Sequence, residues 1–231
     1  MKKVGLIGGL SWQSSVDYYR IVNEESNKRL GGNSTIESIM YSTDLHGKLE
    51  HVVKGEYRQL AREFTDIAQS LEKAGADVIV MCTNTMHLVF DQVARNVGVP
   101  MIHIVDATAQ AIKEAGLEKV ALLGTTFTMT QPFYKEKLKE QYGIETLVPK
   151  QEQMTEIMRV IEEELTFNIL KDESRQYFVN VIKELQRQGA QGVILGCTEI
   201  PMLIKQKDSP IPVFDTTYLH AVAALDWAME N

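Results

Sequence analysis

The chain contains the same plan twice, and that duplication constrains its fold more than any other feature. Lys3-Val4-Gly5-Leu6-Ile7-Gly8 returns as Lys119-Val120-Ala121-Leu122-Leu123-Gly124. Ala76-Asp77-Val78-Ile79-Val80-Met81-Cys82-Thr83 returns as Gln191-Gly192-Val193-Ile194-Leu195-Gly196-Cys197-Thr198, with one extra residue in the second lead-in. Val99-Pro100-Met101-Ile102 returns as Ile211-Pro212-Val213-Phe214. Three blocks in one order at nearly constant separation mean that each copy repeats one supersecondary design.

Within each copy, short β-branched and apolar runs alternate with longer amphipathic stretches. Strands are expected at 4–7, 36–41, 78–81, 101–104, 120–123, 144–148, 192–195 and 213–214. A helix is expected over 56–74, where Leu60, Phe64, Ile67, Ala68 and Leu71 recur at helical spacing. A second covers 177–188, with Phe178, Val181, Ile182 and Leu185 on one face. Strands alternating with helices imply parallel sheets covered on both faces, so the fold class is α/β, a duplicated unit of about four strands per copy. No Pro/Gly/Ser-rich linker separates the copies. Ligands of open parallel sheets bind beyond the strand C-termini, which places the equivalent loops of both copies around one expected cleft.

A formal net charge of −7 argues against nucleic acid or an anionic membrane as the main partner. The basic start Met1-Lys2-Lys3 precedes only a short apolar run and no convincing cleavage site, so it does not read as a signal peptide. No apolar stretch approaches the roughly 20 residues that span a bilayer, and a soluble, cytoplasmic protein is expected.

The chemistry-bearing residues gather in the repeated turns. The two cysteines, Cys82 and Cys197, are in no CxxC pair. Each Cys-Thr pair closes a buried strand and opens a helix, a place where free N–H groups and the helix dipole favour a thiolate and can hold a carboxylate. Asn84, Thr85, Thr198 and Glu199 add polar groups beside those turns. The alternative is a pair of buried structural cysteines with capping threonines. Gly5-Leu6-Ile7-Gly8-Gly9 lacks the spacing of a dinucleotide fingerprint and reads as a tight strand-to-helix turn. Its counterpart carries Thr125, Thr126 and Thr128, suited to helix capping or to ligand binding. The five histidines form no metal-ligand spacing, and no Walker loop is present. His87, one helical turn past Thr83, either tunes the site or is a satisfied structural residue. No metal or cofactor is expected.

Taken together, Gly8-Gly9-Leu10-Ser11, Thr83-Asn84-Thr85-Met86-His87, Leu123-Gly124-Thr125-Thr126 and Gly196-Cys197-Thr198-Glu199 resemble the aspartate/glutamate racemase family, including its broad-specificity branch. The resemblance runs through essentially the whole chain, and Gly-Cys-Thr-Glu is its most specific part. It implies two pseudo-symmetric Rossmann-like lobes, each with a mostly parallel four-stranded sheet flanked by helices. The first lobe would comprise 1–98 plus 210–231, the second 99–209, with the active site in the cleft between them, often in a homodimer. The implied activity is racemisation of a small amino-acid substrate without pyridoxal phosphate, one thiol removing the α-proton while another reprotonates the opposite face.

Carried onto this chain, the resemblance makes Cys197 one acid/base. The Asn84-Thr85 anchor puts Thr83 in the opposing slot, whereas the internal repeat would pair Cys82 with Cys197. Ser11, Asn84, Thr85, Thr125, Thr126 and Thr198 would bind the substrate's carboxylate and amino groups. Where acidic-substrate members grip the side-chain carboxylate with an Arg and a Lys, the matching positions here are Lys48 and Thr166. That leaves aspartate and glutamate, or a broader set of neutral and hydroxylated amino acids, as substrates. An isomerase or decarboxylase of another small carboxylic acid, or a non-catalytic amino-acid sensor, would use the same scaffold.

Overall fold

The computed structural model describes all 231 residues, and the chain separates into two compact units, Met1–Ile104 with His220–Asn231, and Val105–Leu219. In the first, β1 (Val4–Gly8) is buried at every residue, as befits an apolar strand at the middle of a parallel sheet. It leads into α1 (Trp12–Leu30), followed by β2 (Ser38–Ser42), α2 (Leu45–Lys54), α3 (Tyr57–Lys73), β3 (Val78–Met81), a 3₁₀ turn over Thr85–Val89 and α4 (Phe90–Ala94). The strand order is β2-β1-β3, all parallel. The expected helix over 56–74 is α3, which buries Leu60, Ala61, Phe64, Ile67, Ala68 and Leu71 as one stripe.

The fourth strand expected at 101–104 is reduced to a single parallel bridge between Ile79 and Met101. Ile79 donates to the Pro100 carbonyl at 3.0 Å and Ile102 to that of Ile79 at 3.1 Å. Pro100 has no N–H to give, and the next helix begins at Ile104, so the ladder has no room to lengthen.

The second unit begins within α5 (Ile104–Glu114) and continues through β4 (Lys119–Gly124), α6 (Thr126–Thr130), α7 (Pro132–Tyr142), β5 (Glu145–Leu147), α8 (Gln151–Glu163), a 3₁₀ turn at Leu165–Phe167 and α9 (Asp172–Arg187). It closes with β6 (Gly192–Gly196), α10 (Ile200–Leu203), β7 (Val213–Asp215) and α11 (Thr216–Glu230). Its sheet runs β5-β4-β6-β7, again entirely parallel. This is the order of the first sheet, with β7 in the place of the Met101 bridge, and the expected helix over 177–188 is the latter part of α9.

The C-terminal part of α11 belongs to the first unit, where Ala221, Ala224, Leu225 and Ala228 join Val4, Leu6, Tyr18, Ile21, Val22, Val78, Val80 and Cys82 in one core. A polar chain crosses this core. The Tyr18 hydroxyl donates to His220 Nδ1 at 2.7 Å, and His220 Nε2 donates to the Ile102 carbonyl at 2.8 Å. Both ring nitrogens are satisfied by the neutral imidazole, and burial lowers the His220 pKa to about 4. No helix is long and apolar enough to cross a membrane.

His220 predicts an acid limb of stability. Below its ordinary pKa of about 6.5 the unfolded chain takes up a proton that the folded chain refuses. Stability therefore falls as pH drops toward 4, by about 3 kcal/mol at 1.36 kcal/mol per unit. Urea titrations at pH 7 and pH 4 are expected to differ by about that much less in His220→Gln than in the parent; equal differences would show that His220 does not carry the effect.

Candidate active site

Every chemistry-bearing turn singled out above lies at the C-terminal end of a parallel strand. In the first unit, β1 ends in Gly8, and Gly9, which follows it, has φ +82. A Cβ at Gly9 would overlap the carbonyl oxygen of Thr43, so the close approach of β2's exit excludes a side chain. Ser15 Oγ accepts from the Gly9 N–H at 2.7 Å and donates to the Ser11 carbonyl at 3.0 Å, while Ser11 Oγ caps α1 by accepting from Ser14 N–H at 3.5 Å.

On the neighbouring strand, Cys82 still belongs to the sheet, its N–H donating to the Ile7 carbonyl at 2.9 Å. Its side chain lies in the core with Val4, Leu6, Val78 and Val80, fully buried, and desolvation pushes the thiol well above the ordinary range. Thr83 starts the turn. Its N–H donates to the Met81 carbonyl at 2.8 Å, and its own carbonyl accepts from His87 Nδ1 at 2.8 Å. Asn84 is buried beside it, and Thr85 opens the 3₁₀ turn.

In the second unit, Thr125 is the cap of α6, accepting from Thr128 N–H at 3.2 Å with the two hydroxyls 3.1 Å apart. Capping thus accounts for one hydroxyl of that cluster, and Thr126 is the first residue of the helix. On the adjacent strand β6 ends in Gly196, followed by Cys197, Thr198 and Glu199, each under 10% exposed. The Cys197 thiol donates to Glu199 Oε2 at 2.9 Å, and the Thr198 hydroxyl donates to the same oxygen at 2.9 Å.

This corrects the expectation of a thiolate stabilised by a helix N-terminus. The helix α10 has only four residues. The backbone N–H groups of Glu199 and Ile200 do pull the Cys197 pKa down, but burial first and the Glu199 charge second push it up and prevail, leaving the thiol protonated at neutral pH.

The strand registers settle how the two turns correspond. Val4 pairs with Val78 and Ile7 with Met81, so Cys82 stands opposite Gly8. In the second sheet Val120 pairs with Gly192 and Gly124 with Gly196. Since Val4–Gly8 corresponds to Val120–Gly124, Cys82 occupies the position of Gly196, and Thr83 occupies that of Cys197. The match of Cys82 to Cys197 in the amino-acid sequence is therefore one residue out of step with the hydrogen-bond ladders.

Two further positions are those expected to meet the substrate's side chain. Lys48 on α2 is mostly buried and forms an ion pair with Glu63 of α3. Glu63 also meets His51 Nε2 at 3.1 Å, and Lys48 before all other groups lowers its pKa to about 2. Thr166 donates its hydroxyl to the Ile161 carbonyl at 2.8 Å. Reasoning from sequence missed Glu63, which lies on a different helix from Lys48, with no local pattern to mark it. It also missed the role of Glu199 as the acceptor for Cys197, although the two-residue spacing was there to suggest it.

Replacing Glu199 by Gln removes the negative charge that raises the Cys197 pKa. Alkylation of Cys197 by iodoacetamide, followed by peptide mass mapping across pH 6–10, should then shift to lower pH and proceed faster at pH 8, with Cys82 unlabelled in both proteins. An unshifted profile would mean that the carboxylate does not control the thiol.

A profile of the Asp/Glu/Hydantoin racemase family matches residues 7–224. A candidate Asp/Glu racemase from Yersinia pestis, known from a crystal structure, is 46% identical, with a TM-score of 0.94 over 99% of this chain and 100% of that one. The crystal structure of an aspartate racemase homologue from Pyrococcus horikoshii OT3 is 39% identical, with a TM-score of 0.89 over 99% of this chain and 100% of that one. The broad specificity amino-acid racemase RacX of Bacillus subtilis is 23% identical over 219 residues, 93% of this chain and 92% of RacX. A family profile spanning nearly the entire sequence, with two full-length structural relatives well above the level at which a fold alone is shared, means that the chain belongs to the Asp/Glu/hydantoin racemase family.

Proposed function

We propose that the protein is a cofactor-independent amino-acid racemase in which Cys197 and Thr83 move the α-proton on opposite faces of the substrate carbon. The observation that carries this reading is the register equivalence of the two residues, each one residue beyond the position opposite the last glycine of β1 or of β4. Racemisation requires a proton to leave one face of the α-carbon and another to arrive on the opposite face. In the deprotonating direction, Cys197 passes its proton to Glu199, its hydrogen-bond acceptor, and the resulting thiolate takes the α-hydrogen. The carbanion is reprotonated by the Thr83 hydroxyl; water then returns a proton to Thr83, and the hydroxide so formed is neutralised by the proton that Glu199 releases, which restores the starting protonation. Ser11 follows β1, Asn84 and Thr85 follow β3, Thr125 and Thr126 follow β4 and Thr198 follows β6, and in this reading they would orient the substrate's carboxylate and ammonium. A hydroxyl is a far weaker acid/base than a thiol, so inversion should be slower than exchange at the Cys197 face.

The Lys48–Glu63 pair favours a substrate range extending to uncharged side chains, because the ammonium already has a carboxylate partner. The reading also includes a homodimer and a cytoplasmic location. The first is supported by Trp12, Val16 and Tyr19, which line one exposed face of α1 at helical spacing. The second is supported by the need to keep a working thiol reduced.

The test is α-proton exchange followed by NMR in D₂O with L-aspartate, L-glutamate, L-homoserine and L-alanine, for the parent and Cys197→Ala. Exchange by the parent, strongest with the uncharged substrates and at least ~100-fold weaker in the variant, is expected. Exchange unaffected by the substitution would remove Cys197 from the reaction. Saturable binding with no exchange would identify a sensor, and release of CO₂ or a geometric isomer a different reaction on the same scaffold.

A further inference from the structure

We infer that His87 is a positioning residue for Thr83, an assignment that rests on the racemase reading above. His87 is 3% exposed and is bonded at both ring nitrogens. A carbonyl can only accept, so Nδ1 carries the hydrogen that meets the Thr83 oxygen at 2.8 Å. A backbone N–H can only donate, so Nε2 is the acceptor for Ile104 N–H at 3.2 Å. The two contacts agree on a single neutral tautomer. Phe90 stacks on the ring at 5.3 Å and 7°, and the His103 and His220 rings lie 4.7 and 5.5 Å away, so the imidazole plane is held on several sides.

The consequence falls on one peptide. Thr83 gives its N–H to Met81 and its carbonyl to His87, so both of its backbone polar groups are committed. Turning the Thr83 Cα–Cβ bond to a new direction would break at least one of them in a buried environment, where an orphaned group is costly. The other turn is built differently. By the same register His87 corresponds to Pro201, which has no side-chain donor, and the Cys197 carbonyl accepts from the backbone of Ile200 at 3.2 Å. Cys197 is held through its thiol by Glu199, whereas Thr83 is held through its carbonyl by His87. Each proton-transfer group thus has its own support, and the support of the hydroxyl is an imidazole.

A positioning role on the Thr83 side should affect inversion and spare exchange on the Cys197 side. The ratio of the two is read from one active population and does not depend on how much of a variant folds. The experiment incubates each enantiomer of homoserine in D₂O and measures, from the enantiomer that Cys197 deprotonates, inverted product against substrate deuterated with retention. His87→Gln places an amide oxygen near the Nε2 position, keeping the Ile104 contact and losing the Thr83 contact; His87→Asn places an amide N–H near the Nδ1 position and keeps the Thr83 contact. The ratio is expected to fall roughly 10- to 100-fold in His87→Gln and to stay within about twofold of the parent in His87→Asn. Unchanged ratios in both variants, or an equal fall in both, would overturn the role given to the Nδ1 bond while leaving the racemase reading intact. Absence of exchange in the parent with every amino acid would instead overturn that reading, and this role with it.

Discussion

The close parallel approach of the central strands in each sheet, β1 against β3 and β4 against β6, is the constraint on which the rest depends. It is maintained by small residues where a side chain would not fit. A Cβ on Gly5 would come within 2.9 Å of the Ala76 methyl, and one on Gly124 within 2.7 Å of the Gly196 carbonyl. With these approaches fixed, the pairing register cannot slip, because a one-residue shift would turn every buried side chain to the other face. The register determines which residue stands opposite the last glycine of β1 and of β4 and which residue comes next. Cys82 therefore falls on the core side of that boundary, and Thr83 and Cys197 fall beyond it.

Residues of the same type are consequently given different chemistry by position. Both thiols are buried, and desolvation raises the pKa of each. Cys82 belongs to the hydrophobic core of the first unit and serves as a small core residue. Cys197 has a carboxylate at hydrogen-bond distance, so its proton has somewhere to go. The backbone amides of the turn act in the direction expected of a helix start, yet a four-residue helix contributes less than burial and a neighbouring negative charge together. In the proposed reaction this arrangement keeps the thiol protonated at rest and makes Glu199 the partner that releases it.

Much of the fold could be read from the amino-acid sequence because its signals are local or repeated. The apolar runs at Val4 and Val120 and the stripe from Leu60 to Leu71 carry the patterns of buried strands and an amphipathic helix, and the structure forms both. What escaped depended on partners distant in sequence. The fourth strand of the first sheet shrank to a bridge because Pro100 and the start of α5 leave it no length. The correspondence of the two turns was ambiguous because the identical Cys-Thr pair competes with the hydrogen-bond ladder, and only the ladder counts bonds. The ion pair of Lys48 with Glu63 and the span of His87 from Thr83 to Ile104 arise from packing between elements, which no periodicity reports.

The most direct measurement of whether Thr83 and Cys197 are the two proton-transfer points is enantiomer-specific deuteration by Thr83→Ala. Each pure enantiomer of an accepted amino acid is incubated with the variant in D₂O, and label and configuration are read separately by mass spectrometry and chiral chromatography. If Cys197 serves one face and Thr83 the other, the variant will deuterate one enantiomer with retention, leave the other unlabelled and invert neither at an appreciable rate. Labelling of both enantiomers, or inversion at the parent rate, would show that the proton on the second face comes from a group other than Thr83.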